Sequence, residues 1–434
     1  MKTKALPGFR DFYPTDLALR SHIFNTWRAV ASRYGFEEYD GPPLEPLDLY
    51  TTKSGEEIVG QLYNFTDKGD RAVALRPEMT PTLARMVAAR AGELRKPIRW
   101  FSIPQLFRYE RQQRGRLREH FQLNCDLIGE AGPLADAEII ALAIDCMRAF
   151  GLGPTDVRVR LSDRRVLTAI LRHRQFPPES NDQAFEFIDK CERLRREQIE
   201  AFAVEKAEIF APATVDDLVK IARIRGWDEL QKELHLAPEL AEAAKPLREV
   251  YQTLSHMGLG EFIELDLTIV RGLAYYTGIV FELFDAGRTL RAICGGGRYD
   301  NLLQDLGGVD LPALGFGMGD VVLGELLKDR GLAPAERTAI DVFLAFITKE
   351  DLPYVLTLAH RLRDRGVRVE YTLSPQAVGK QLKLADARRS RFAVVVGPDE
   401  RNRGEVVLRD LGTGSQEAVR QDTLEDTIKS RMHG

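Results

Sequence analysis

Five arginines fall within eleven residues: Arg108, Arg111, Arg114, Arg116 and Arg118, in the run FRYERQQRGRLR. A guanidinium is a planar fork of donors that matches phosphate oxygens, so such a loop suits a polyphosphate. A solvated hairpin tip, its arginines paired with Glu110 and Glu119, accounts for the same residues, because charge runs usually face water. Upstream, Arg76-Pro77-Glu78 precedes Thr80-Pro81. A carboxylate there could accept hydrogen bonds from an ammonium group, or could simply complement a helix dipole. Downstream, the run RGLAYYTG places Tyr275 and Tyr276 after Arg271. Two adjacent phenols give an apolar wall with two hydroxyl handles; core aromatics beside tight turns would look the same. Two glycine-rich stretches, 295–300 and 315–320, would let backbone approach a nucleotide closely. Neither is GxGxxG, since position 320 is Asp, and no Gly-Lys-Ser/Thr follows either. Dinucleotide and Walker-type binding are therefore poorly supported. No Ser/His/Asp set is visible, and His120 reads as a partly buried, hydrogen-bonded histidine.

Composition narrows the classes. The 434 residues give a prior of roughly three domains. Lys+Arg is 61 and Asp+Glu is 65, a net charge of −4, which excludes wholesale coating of nucleic acid but leaves room for a local basic patch. Cys125, Cys146, Cys191 and Cys294 are far apart, with no CxxC and no HExxH. That argues against zinc sites and a disulfide scaffold, and for a reducing compartment. The N-terminal run lacks the apolar core of a signal peptide, and no stretch of about 18 apolar residues exists. The expectation is a soluble, cytoplasmic protein with no membrane association.

Certain elements must position these residues. Leu17, Leu19, Ile23, Trp27, Val30 and Ala31 recur at helical spacing over 16–34. A short strand at 36–41 stops at Pro42-Pro43. A hairpin at 61–66 and 72–76 turns around Lys68-Gly69-Asp70. A helix should start with Thr80 as N-cap and Pro81 as its first residue, running to about Ala91. Strands at 98–107 and 119–128 flank the arginine loop, followed by a helix at 135–150 and a strand at 155–161. Strand signals vanish over 163–255, which reads as an all-helical insertion. They return from Phe262 in FIELDLTIV, IVFELFD and TLRAICGGG, before a helix at 320–330. A linker at 331–339 leads to alternating strands and helices over 340–434, a compact α/β domain. Residues 338–434 hold sixteen basic and fourteen acidic side chains, a net of +2, and the run GKQLKLADARRSR at 379–391 has five basic residues and one acid.

In this order, LPGFRDFYP, YGFEEYDGPP, FRYERQQRGRLREHFQLNCDLIG, RGLAYYTG, GGGRYD and the tail VGKQLKLADARRSRFAVVVGPDERNRGEVVLRDL resemble the class II aminoacyl-tRNA synthetases, specifically the histidyl-tRNA synthetase family. The resemblance spans nearly the whole chain. It implies an α+β fold: an antiparallel six-stranded catalytic sheet flanked by helices (1–162 and 256–330), the helical insertion (163–255), and a C-terminal α/β anticodon-binding domain (340–434). It also implies a homodimer. The implied chemistry is activation of L-histidine by ATP, with Mg²⁺ bound to the nucleotide, and transfer of the histidyl group to the 3′-end of tRNA(His). Carried onto this sequence, Glu78, Thr80 and Gln122 would hold the substrate α-ammonium. Asp126 and Tyr276 would grip the imidazole nitrogens, with Tyr275 and Tyr299 lining the pocket. Arg108 would hold the α-phosphate, Arg116 the far phosphates, and Glu110 would belong to the ATP site. Arg271 would bridge the substrate carboxylate and the α-phosphate, making Arg108 and Arg271 the catalytic pair. The basic face at 379–391 would touch tRNA.

Elementary chemistry agrees with that arrangement. Attack of a carboxylate on a phosphate brings anions together, so cations fixed where charge builds are the main device available. An imidazole donates at one nitrogen and accepts at the other, so an acid facing a phenol discriminates by polar pairing. The sequence departs from the family pattern at three places. Val322 stands where the third signature motif has Arg, Asp126 where many members have Glu, and Ala274 where Asp is usual. An inactive regulatory paralogue sensing histidine or tRNA is the alternative that Val322 keeps open. A general nucleic-acid-binding protein is a further one, which the modest charge opposes.

Overall fold

The computed structural model describes residues 4–51, 60–110, 115–191, 198–199, 201, 212–270, 275–334 and 340–433. Arg111, Arg114, Arg271 and Ala274 lie outside the described residues, as does most of the expected linker. The chain divides into two compact units, Met1–Pro334 and Ala335–Gly434, each with its own apolar core.

The first unit is built on a nine-stranded sheet. Six of its strands form an unbroken antiparallel run: β1 (Ile98–Ser102), β2 (Glu119–Ile128), β3 (Val157–Asp163), β4 (Ile279–Asp285), β5 (Cys294–Arg298) and β6 (Ala313–Gly319). Their spatial order is β1-β2-β6-β5-β4-β3. Glu37–Glu38 adds parallel to β1, and Ile263–Leu265 adds parallel to β3. The two centremost strands, CGGGR and ALGFGMG, carry almost no β-forming side chains. Glycine inside a strand usually marks a close approach of other atoms. Here Gly295 pairs with Gly317 and Gly297 with Gly315, while Gly315 and Gly317 face Asp126 and Asn124 of β2. The absent side chains leave a trough in the middle of the sheet.

Helices α1 (Pro14–Arg33), α2 (Thr80–Arg90), α3 (Pro133–Ala149) and α4 (Asp320–Asp329) flank this sheet. Helix α3 starts with Pro at its N-terminus, has no internal Gly or Pro, and buries both apolar flanks, Ile139, Ile140, Leu142 and Ile144 included. Trp27 of α1 is fully buried in the same core. Asp136, in the first turn of α3, is itself buried and pairs with buried Arg298 at the end of β5 at 2.6 Å. Arg298 also donates to the Glu130 and Gly132 carbonyls, so one guanidinium fastens α3 to the sheet. Asp136→Ala would leave that guanidinium with Asp300, 3.2 Å away, as its remaining ionic partner among the described residues. It should lower unfolding stability by about 3 kcal/mol, read by urea denaturation, and an Arg298→Met second substitution should recover part of the loss.

Three local expectations need correction. The strand expected at 98–107 is two strands, β1 and Gln105–Phe107, because Pro104 has no N–H to continue the ladder. FIELDLTIV is a strand only at Ile263–Leu265. Beyond it, Asp266 Oδ1 accepts from the Thr268 N–H and hydroxyl at 3.0 and 2.6 Å, turning the chain. Helix α2 begins at Thr80 itself, with Met79 already in helical conformation as N-cap and no side-chain capping bond.

Between Arg164 and His256 every described element is a helix or helical turn, ending with Lys245–His256, which packs on α3. In the second unit, β7 (Val342–Phe346), β8 (Val369–Tyr371), β9 (Phe392–Val396), β10 (Glu405–Asp410) and β11 (Gln416–Arg420) make a sheet of order β8-β7-β9-β10-β11. Helices α5 (Leu352–Asp364) and α6 (Val378–Ala387) pack on β7. Gln381 of α6 is buried and bonds both the N–H and the carbonyl of Phe346. That contact turns Lys380 and Lys383 to solvent, with Arg388 and Arg389 exposed just beyond. Among the described residues no helix is long and apolar enough to cross a membrane.

Candidate active site

The trough is the floor of a cavity of about 430 Å³, counted with its open mouth. Gly295, Gly315 and Gly317 form the floor, and Glu78, Thr80, Arg108, Gln122, Asp126 and Tyr276 stand among its walls. Space is tight at Gly315 and Gly317. A Cβ on Gly315 would collide with Asp126 Oδ1 and sit 2.6 Å from the Cys125 carbonyl oxygen; one on Gly317 would sit 2.5 Å from Gln122 Cδ.

Asp126 is buried, and its Oδ1 accepts a hydrogen bond from the Tyr299 hydroxyl. Its other oxygen, Oδ2, is buried with no hydrogen-bond partner among the described residues. Burial pushes the carboxyl up to about 7, and the Tyr299 bond pulls the other way. The Tyr299 phenol is raised well above its ordinary value by burial and by Asp126. A buried acceptor left unmatched is costly, so this oxygen calls for a donor. Elsewhere in the wall, Glu78 Oε2 accepts from the Tyr275 hydroxyl at 3.0 Å. The Tyr275 ring lies 5.8 Å from Tyr299, edge to face, and 5.1 Å from Tyr276.

Arg76 positions the Glu78 segment from behind. It donates to Asp40, the Gly41 carbonyl and the Gln105 carbonyl at 2.8, 2.6 and 3.1 Å. Phe107 N then donates to the Arg76 carbonyl, and Arg108 Nε to the Pro77 carbonyl at 2.9 Å. Arg108 is thereby held in the cavity wall by the same segment that carries Glu78.

The structure brings together Glu78, Thr80, Arg108, Gln122, Asp126, Tyr275, Tyr276 and Tyr299 of the expected residues. The acid and phenol that bond directly are Asp126 and Tyr299; Tyr276 stands beside them. Glu110 and Arg116 do not line the cavity and form an ion pair with each other. Arg118 stacks on Tyr109 at 4.0 Å. Glu119 pairs with Arg10 at 2.6 Å, and Arg10 also reaches Asp320 at 2.9 Å. Asp320 in turn accepts from Phe121 N, which clamps the N-terminal segment, β2 and α4 together beside the site. His120 is half-buried and its side chain has no hydrogen bond among the described residues; burial, then Arg108 and Arg10, lower it to about 3, which keeps it neutral. Sequence reasoning missed Asn124 and Phe316, which also line the cavity. Nothing local marks them, because their place follows from strand register.

Comparison with known proteins bears on the same residues. The family description "Histidyl-tRNA synthetase" matches residues 8–319, and "Anticodon binding domain" matches 341–431. A histidine–tRNA ligase of Opitutus terrae is 45% identical over 433 residues, covering 98% of both chains. The chain belongs to the histidyl-tRNA synthetase family. A chloroplastic/mitochondrial histidine–tRNA ligase of Arabidopsis thaliana is 39% identical, covering 96% of this chain and 85% of the relative. The crystal structure of histidyl-tRNA synthetase from Nostoc sp. PCC 7120 superposes with a TM-score of 0.84 at 27% identity, covering 99% of this chain and all of that one. The histidyl-tRNA synthetase match contains every described cavity residue, and the anticodon-binding match falls in the second unit.

Proposed function

We propose that this chain activates L-histidine with ATP and transfers the histidyl group to the 3′-end of tRNA(His). The observation that carries the reading is Asp126: a buried carboxylate with one oxygen held by Tyr299 and the other unmatched in the cavity. An imidazole N–H supplies the missing donor, and the Tyr276 hydroxyl would donate to the second ring nitrogen. Glu78, Thr80 and Gln122 would take the α-ammonium.

In the first step a histidine carboxylate oxygen forms a bond to the α-phosphorus. The bond from that phosphorus to the bridging oxygen breaks, and the electron pair leaves on pyrophosphate. Arg108, fixed by the Pro77 carbonyl, meets the α-phosphate where charge builds. Arg271, by the family resemblance, would bridge the two anions. Arg116 would exchange Glu110 for the far phosphates. Magnesium bound to the nucleotide would shield phosphate oxygens and usually shares one or two carboxylates; Glu110, once released by Arg116, would be the carboxylate at hand. In the second step a terminal tRNA hydroxyl oxygen forms a bond to the acyl carbon, the bond from that carbon to the phosphate oxygen breaks, AMP leaves with the electron pair, and the hydroxyl proton is given up to phosphate or water. The exposed Lys380, Lys383, Arg388 and Arg389 suit contact with tRNA phosphates. The family resemblance also supports a homodimer.

Purified protein should exchange labelled pyrophosphate into ATP only when histidine is present, and should charge tRNA with labelled histidine. No histidine-dependent exchange above background would overturn the reading.

A further inference from the structure

At the start of α4 this chain presents an apolar side chain beside the arginine loop. Val322 is nearly buried, and its Cγ2 lies 3.2 Å from where a Cβ of Gly115 would stand. That same point is 3.9 Å from Cδ of Arg291. Gly115 has φ +73, a conformation that favours glycine, and it is where the described chain resumes after the loop's first arginines. Arg291 therefore runs alongside the returning limb of the arginine loop.

Its backbone is held at both ends. Thr289 and Leu290 donate to Asp285 at 3.0 and 2.9 Å. Ile293 donates to the Leu283 carbonyl, and its own carbonyl accepts from Gly319. Two residues further, Gly295 is cavity floor. The neighbouring cations have partners: Arg116 has Glu110, Arg10 has Glu119 and Asp320, and Arg288 has Glu264 at 2.9 Å. Arg291 is exposed and meets no carboxylate among the described residues. A guanidinium left unneutralised beside the backbone of the arginine loop raises the local potential and favours an anion.

We propose that Arg291 binds the distal phosphates of the nucleotide, supplying from the turn before β5 the cation that Val322 cannot supply from α4. This rests on the function proposed above. As the phosphorus–oxygen bond breaks, the charge that moves to pyrophosphate falls where Arg291 can meet it. The site thus takes a nucleoside triphosphate through two separate cations, Arg108 near the α-phosphate and Arg291 beyond it.

The test measures binding of Mg-ATP and of AMP to the full chain by calorimetry. AMP lacks the distal phosphates. Arg291→Ala should weaken ATP about tenfold, the loss of one charge-assisted hydrogen bond, and leave AMP unchanged. Arg291→Lys should fall between, and Arg291→Glu should exceed the alanine loss. Because Arg291 is exposed, far-UV circular dichroism should match the unsubstituted protein. Unchanged ATP affinity, or equal losses for ATP and AMP, would overturn the proposal. Failure of histidine-dependent exchange with the ATP-over-AMP effect intact would overturn the proposed reaction and leave the phosphate site standing. Normal exchange without that effect would do the reverse.

Discussion

Asp126→Asn should reduce histidine-dependent pyrophosphate exchange by about 10³-fold or more and, at the same time, raise the melting temperature of the ligand-free protein at pH 8. The two effects have one cause. Asn keeps the shape and can still accept from Tyr299, but it turns an amide N–H₂ toward the place where an imidazole N–H must be accepted. Sites built on such pairing reject a mismatched partner by several orders of magnitude. The stability gain follows from burial, which lifts the Asp126 carboxyl from its usual 3.8 to about 7. A group raised in the folded state contributes stability that is fully present below its unfolded value and is lost as pH climbs through the folded one. At pH 8 the folded protein carries the buried anion at full cost; near pH 4 it carries almost none. The variant's advantage in a thermal melt should therefore be largest at pH 8 and shrink toward pH 4. A variant that melts lower at pH 8, or that retains exchange within tenfold, would show that Asp126 is not the imidazole acceptor.

Gly315→Ala should lower kcat/KM for histidine by about a hundredfold or more, the effect of displacing a reacting group by roughly 1 Å. The added methyl would overlap Asp126 Oδ1 and stand 2.6 Å from the Cys125 carbonyl oxygen. That oxygen belongs to the neighbouring strand's backbone and has nowhere to go. The carboxylate must leave its bond with Tyr299, or β2 and β6 must part. Gly319→Ala, at the end of the same strand, meets no atom within 4 Å and should behave as the unsubstituted protein does. Steady-state exchange over a range of histidine concentrations, with folding checked by circular dichroism, separates the two. Equal behaviour of the two variants would mean that the trough tolerates a side chain.

The candidate site residues were legible because their types are unusual for their places. An arginine cluster between two apolar strands and a glutamate before a helix each stand out in one dimension, and Arg108 of the one and Glu78 as the other line one cavity. The sheet's centre was not legible. Period-two alternation cannot be seen in CGGGR, and in ALGFGMG Leu314, Phe316 and Met318 mark only one face while the glycines opposite give no sign of what they meet. Partner choice was hidden too. Tyr299 reaches Asp126 across 173 positions and Arg10 reaches Asp320 across 310, and no local window contains either pair. Thr80 was misplaced by one position because this helix starts without a side-chain cap to mark its entry, and such boundaries shift easily.

Strand β6 is the last of the six to be synthesised, yet it inserts between β2 and β5. Until residue 319 has left the ribosome, the growing chain holds two half-sheets with facing unpaired edges, and such edges are templates for intermolecular association. Closure of this unit is thus a single late event that zips the halves, supplies Gly315 and Gly317 to the floor, and is followed at once by Asp320 locking onto Arg10. Truncations ending before residue 313 should accumulate as aggregates rather than as partly active fragments, because the facing edges of the two halves stay open to other chains.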